Sequence, residues 1–262
     1  MGGRRQTTGQ DRIGTWRQDR GDGTVHMKTL NILSGGAAQG LVRSLAPAFE
    51  AETGLGIAGD FGAVGAMADR LRAGVPTDIV ILTAALIAKL VDEGLVLRSS
   101  IADIGRVETA LAVRAGDPAA QAEDAASLRT VLLAADAIFV PDIEASTAGI
   151  HVAKVLAQLA ITNAVADRLK IFPNGATAMR HLAESRDQRP IGCTQSTEII
   201  NTPGVVLSGT LPPGCGLATM YTAAVATQSS AAPQAQRLIA LLTSTDATEL
   251  RSQAGFVSGP AS

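Results

Sequence analysis

Residues 60–82 read DFGAVGAMADRLRAGVPTDIVIL, and this stretch holds a strand end, a turn, a helix and a second strand in order. Gly56–Phe61 is strand-like, and the small residues Gly62-Ala63-Val64-Gly65 break it into a turn. Ala66–Ala73 reads as a short helix that Gly74 stops. Asp78–Leu82 (DIVIL) is a short unbroken apolar run, the pattern of a strand covered on both faces.

Upstream the same order recurs. Leu30–Leu33 is an apolar run that ends in Ser34-Gly35-Gly36-Ala37-Ala38. Helical spacing follows through Leu41, Leu45, Ala48 and Phe49 to a stop at Gly54. Downstream, helices are expected at Ala84–Glu93, Ser127–Leu133, Ala148–Leu159, Thr177–Glu184, Pro233–Leu242 and Ala247–Ala254. Strands are expected at Thr109–Val113, Ala137–Val140, Ile191–Thr194, Val205–Leu207 and Tyr221–Val225. Strands alternating with helices predict an α/β fold with a mostly parallel sheet covered on both faces.

Composition narrows the function. The 262 residues carry a net charge of −2, and only 3% are aromatic, which argues against a phosphate-backbone binder or a base-stacking platform. No nucleic-acid partner is expected. Cys193 and Cys215 lack partner cysteines, and His26, His151 and His181 have no metal-ligand spacing, so neither a metal nor a cofactor is expected. No apolar run approaches the roughly 18 residues of a membrane span, so no membrane insertion is expected. Residues 1–26 carry five Arg and three Asp, with neither an apolar signal core nor a small-residue cleavage site. They read as a disordered or non-native extension ahead of a start at Met27, which predicts a cytoplasmic chain.

Three segments share one design, an apolar strand followed by small residues and a helix start: Ser34–Ala38, Gly62–Gly65 and Ser146–Gly149. In an open α/β sheet such turns lie at the carboxyl ends of strands, where ligands collect. Their free N–H groups and the helix dipole favour a small anion. Candidate ligand contacts are therefore Ser34, Gly35, Gly36, Ala37, Gly62, Ala63, Val64, Thr83, Ser146, Thr147, Ala148 and Gly149. Gln195, Ser196 and Glu198 follow a strand and read either as a strand-to-loop passage or as a polar clamp. His151, in the first turn of its helix, is the candidate proton carrier near neutral pH.

The run Leu33–Phe49, DFGAVGAMADRLRAGVPTDIVIL, STAGIHVAKVLAQLAI (Ser146–Ile161) and RPIGCTQSTEI (Arg189–Ile199) resemble the bacterial molybdate-binding proteins in order and spacing. The resemblance covers nearly everything after Met27. It implies a two-lobed type II periplasmic-binding-protein-like fold with a mixed, mostly parallel sheet in each lobe. Residues 27–107 plus 224–262 would form the first lobe and 108–223 the second, with crossing strands near Val107 and Ala223. It also implies an ABC permease as partner and, for typical relatives, a periplasmic location. The serine and tyrosine hydroxyls that hold molybdate in that family fall here on Ala37, on Ala63 or Val64, and on Gln195. The scaffold would then carry over without the specificity, because donors lost from a polar site leave ligand atoms unpaired. The expected ligand is a small anion, an organic carboxylate rather than molybdate. Gly192, Gln195, Glu198 and Pro203-Gly204-Val205 give a looser resemblance to the bacterial aconitate isomerases on the same fold. That likeness implies a 1,3-allylic proton shift in a tricarboxylate, with His151 as base.

Overall fold

The computed structural model describes residues 29–257, so the expectations for residues 1–26 and for a start at Met27 fall outside the described range. The elements run β1 (Thr29–Gly35), α1 (Gln39–Thr53), β2 (Gly56–Gly62), α2 (Val64–Arg72), β3 (Ile79–Thr83), α3 (Ala84–Asp92) and β4 (Ala102–Arg114). They continue α4 (Ala125–Ala134), β5 (Ala137–Pro141), α5 (Thr147–Gln158), α6 (Thr162–Val165), β6 (Leu169–Phe172) and α7 (Gly175–Glu184). The chain closes with β7 (Pro190–Gln195), α8 (Ser196–Ile200), β8 (Val205–Thr210), β9 (Ala218–Val225), α9 (Ala232–Thr243) and α10 (Thr248–Gln253). Gly54, Gly74 and Gly94 stop α1, α2 and α3 in the left-handed region, at φ +69°, +79° and +72°.

Strand order is β2-β1-β3-β9-β4-β7-β5-β6, with β8 also paired to β4. The pairs β1–β2, β1–β3, β5–β6 and β5–β7 are parallel, and every pairing of β4 or β9 is antiparallel. The sheet is therefore mixed. It has a parallel block at each end, and β4 and β9 run through the middle.

β4 belongs to both blocks. Ala102–Glu108 pair with β9, and Thr109–Ala112 pair with β7. Thr109 N–H donates to the Leu217 carbonyl at 2.9 Å, so the two crossings lie side by side at Glu108–Thr109 and Leu217–Ala218. Ala223, read as the second crossing, pairs instead with Ile81 and Ala102 inside the first block, because the run through Val225 continues as strand. The expected strand at Thr109–Val113 extends back to Ala102. The first half of β4 was hidden by its polar residues Asp103, Arg106 and Glu108.

Buried apolar side chains follow the same division. One cluster joins Leu30–Val107 to Tyr221–Phe256, with Phe49, Leu82 and Leu238 inside it. The other block has a core on each sheet face. Leu111, Val113, Ile138 and Val140 meet α4 and α5 residues such as Leu128 and Val155, whereas Ala110, Ala112 and Phe139 meet Met179 and Leu182 of α7. That separation is the period-2 alternation of a strand, and it explains why AIFVP is apolar throughout.

Candidate functional site

Five strands end at one place. The turns after β1, β2, β5, β6 and β7 bring Gly36, Gly62 to Val64, Ser146 with Thr147, Asn174, and Gln195 with Glu198 around a small hollow, and Tyr221 of β9 completes its wall. Two of these strands belong to the first block and three to the second. The hollow therefore lies between the two parallel blocks, at the carboxyl ends of their strands, where α/β sheets place ligands. It holds about 10 Å³, barely the room that one water needs.

The wall is rich in donors. Neither α2 nor α5 has a side chain capping its first turn, so amides there stay available for a ligand. Asn174 caps α7 through its oxygen, which accepts from Thr177 N–H at 2.9 Å and leaves the NH2 end to donate. Gln195 Oε1 accepts from the Tyr221 hydroxyl at 2.8 Å, which likewise leaves its NH2 end as donor.

Against these donors stands one carboxyl. Glu198, in the single turn of α8, is buried. Its Oε2 accepts from the Thr194 hydroxyl at 2.6 Å, and the amides of Gln195, Ala176 and Gly175 also donate to the carboxyl. Burial raises its pKa, and the hydrogen bonds only partly offset that. Glu198 therefore keeps its proton to higher pH than an ordinary glutamate. Burial also raises the Tyr221 hydroxyl, and the Glu198 charge pushes the same way. Gly36 and Gly175 make room for the carboxyl: a Cβ on Gly36 would lie 2.6 Å from Glu198 Oε1, and one on Gly175 would overlap Oε2.

Of the residues expected from sequence, Gly36, Gly62, Ala63, Val64, Ser146, Thr147 and Gln195 line the hollow. The others do not. Ser34 Oγ donates to the Gly35 carbonyl at 2.8 Å, and Gly35 is pressed between Val64 and Tyr221. Ala37 and Ala148 are buried in the turns. Thr83 caps α3, accepting from Leu86 N–H at 3.3 Å. Gly149 packs against the Asp142 carbonyl, and Ser196 Oγ donates to Gly255 O at 3.1 Å. His151 is also displaced: its Nε2 lies 2.8 Å from the Cys215 carbonyl, on a face of α5 that does not line the hollow.

Sequence reading passed over Asn174 and Tyr221. Both reach the site through distant pairings, although Tyr221, as the single tyrosine of the chain, was a signal. The hydroxyl expected to be missing at Gln195 is supplied beside it by Tyr221. Cys193 and Cys215 are buried and free, and burial pushes the Cys193 thiol up to about 12. Among the described residues no cluster of three His, Cys, Asp or Glu side chains could hold a metal ion, and no single helix is long and apolar enough to cross a membrane.

The sequence profile described as bacterial extracellular solute-binding protein matches residues 30–257. The chain belongs to that family. This solute-binding protein is 27% identical over 241 residues to an aconitate isomerase of a Pseudomonas species, with 89% of each chain covered. It has the two-lobed type II fold. The periplasmic molybdate-binding protein of Azotobacter vinelandii matches with a TM-score of 0.75 at 16% identity, over 88% of this chain and 100% of that one. The sulfate-binding protein SubI of Mycobacterium tuberculosis matches at TM-score 0.67 and 20% identity, over 87% and 86%.

Proposed function

We propose that the interlobe hollow holds a carboxylate group of a small organic polyacid, with aconitate as first candidate, and that the protein moves the double bond of that acid. One observation carries the reading: a buried, proton-retaining carboxyl, Glu198, stands in the wall of an otherwise donor-rich site. A site that only grips an anion gains nothing from a facing carboxylate. A site that shuttles a proton needs such a group, with a pKa raised toward neutrality. The likeness to an aconitate isomerase over 89% of each chain supports the same choice.

In the proposed step Glu198, as carboxylate, removes a proton from the methylene carbon beside one carboxylate. The C–H electrons form the new double bond, and the old double bond takes the proton back from Glu198 at its far carbon. Atoms and charge balance with no co-reactant. The amides of α2 and α5, with Asn174 and Gln195, hold the carboxylate where charge builds up in the dienolate. The lobes, with crossings at Glu108–Thr109 and Leu217–Ala218, would open to admit the acid and close over it.

Purified protein incubated with cis- or trans-aconitate should interconvert the two, followed by proton NMR. Glu198→Gln should lower the rate at least ~100-fold. A second reading, delivery of a bound carboxylate to a permease, is favoured by membership of the extracellular solute-binding family. A ligand-induced rise in melting temperature with no turnover would select it.

A further inference from the structure

A second cavity adjoins the hollow and shares Gly36 and Asn174 with it. Its volume is about 260 Å³ against about 10 Å³. Arg43 of α1 and Arg180 of α7 both line it, together with Gln39, Thr177 and Asn201. No Asp or Glu lines it. Among the described residues neither arginine forms an ion pair, and Arg180 Nη2 donates only to its own helix neighbour Thr177, at 3.0 Å.

We infer that this cavity is a second anion subsite, in which Arg43 and Arg180, one from each lobe, hold the remaining carboxylates of a ligand whose first carboxylate enters the hollow. The inference rests on the proposed polyacid ligand and adds how that ligand is told apart from smaller acids. Size is the first argument. The hollow has room for one carboxylate oxygen but not for a carbon skeleton, and the adjoining cavity is the space into which such a skeleton would extend. Charge is the second. Two guanidiniums on one cavity that no lining carboxylate offsets give it a positive potential, and an anion bound between them would draw the two elements together. Guanidinium also suits the planar, two-point geometry of a carboxylate. The site would thus prefer three carboxylates over two.

The test is calorimetric titration of the whole chain with propane-1,2,3-tricarboxylate, which has no double bond to move, and with glutarate, a dicarboxylate. The wild-type protein should bind the tricarboxylate at least ~10-fold more tightly, a gap that narrows as NaCl rises from about 0.05 to 0.5 M. Arg43→Gln and Arg180→Gln should each weaken tricarboxylate binding about 5- to 20-fold and glutarate, which has one carboxylate left for the arginines instead of two, by a smaller factor. Both side chains are exposed, so the unliganded melting temperature should not move. A double variant that binds like wild type, or a wild-type preference indifferent to salt, overturns the subsite while leaving the carboxylate reading intact. A wild-type chain that binds neither acid overturns both.

Discussion

Glu198 is held by what surrounds it, and each neighbour can be tested singly. Gly175→Ala would drive a Cβ into the carboxyl and into Thr194 Oγ1, an overpacking cost of about 1–3 kcal/mol readable by urea denaturation. Tyr221→Phe removes the O–H that Gln195 Oε1 accepts and should cost about 1–2 kcal/mol while freeing the amide to rotate. Glu198 itself sets a pH dependence. Between the ordinary glutamate value and its raised one, the folded chain keeps a proton that the unfolded chain has lost. Stability is therefore full below the ordinary value and falls as pH climbs through the raised one. Glu198→Gln should flatten that decline in thermal melts taken across pH 4–8. His151→Ala, by contrast, should leave turnover unchanged and cost about 1 kcal/mol through the lost bond to the Cys215 carbonyl. Glu198 was visible in sequence beside Gln195. Its burial was not, because that depends on Gly36 and Gly175, far away along the chain. His151 was misplaced because the phase of α5, which turns the ring toward Cys215, is set by packing rather than by spacing.

At the scale of elements, the quoted Asp60–Leu82 stretch was legible because each piece answers to a local rule: small residues at a turn, a glycine stop, an apolar run. Its Asp78 has a structural role. The carboxyl is buried, accepts from Asn31 N–H at 2.9 Å and from Ser229 Oγ at 2.7 Å, and so ties β3 to β1 and to the segment after β9. Asp78→Ala should cost about 2–4 kcal/mol by denaturant titration, since two hydrogen bonds are lost and their part-buried partners are left unpaired. The elements that escaped notice are the ones without such local rules. β6 is four residues with Ile171 exposed, α6 is four residues, and α8 is a single turn following directly on β7. Turn α8 nonetheless carries Glu198. Short elements that owe their form to tertiary contacts leave little periodicity to read.

For the whole molecule, the order of strands decides what is coupled to what. The five turns of the site hang from two blocks joined by β4 and β9, so a shift of one block against the other changes every distance across the hollow. Small-angle scattering should therefore record a smaller radius of gyration when propane-1,2,3-tricarboxylate is added to wild-type protein, and no such change in an Arg43→Gln, Arg180→Gln double variant. The same ordering bears on synthesis. The cores built on Leu111, Ile138, Phe139 and Met179 draw on one unbroken span of chain, whereas the core around Phe49 and Leu82 takes in Leu238 and Phe256 from near the other terminus. As the polypeptide leaves the ribosome, the middle span can collapse on itself early, while β1 to β3 wait for residues 218–256 to emerge, a delay of a few seconds at ordinary elongation rates.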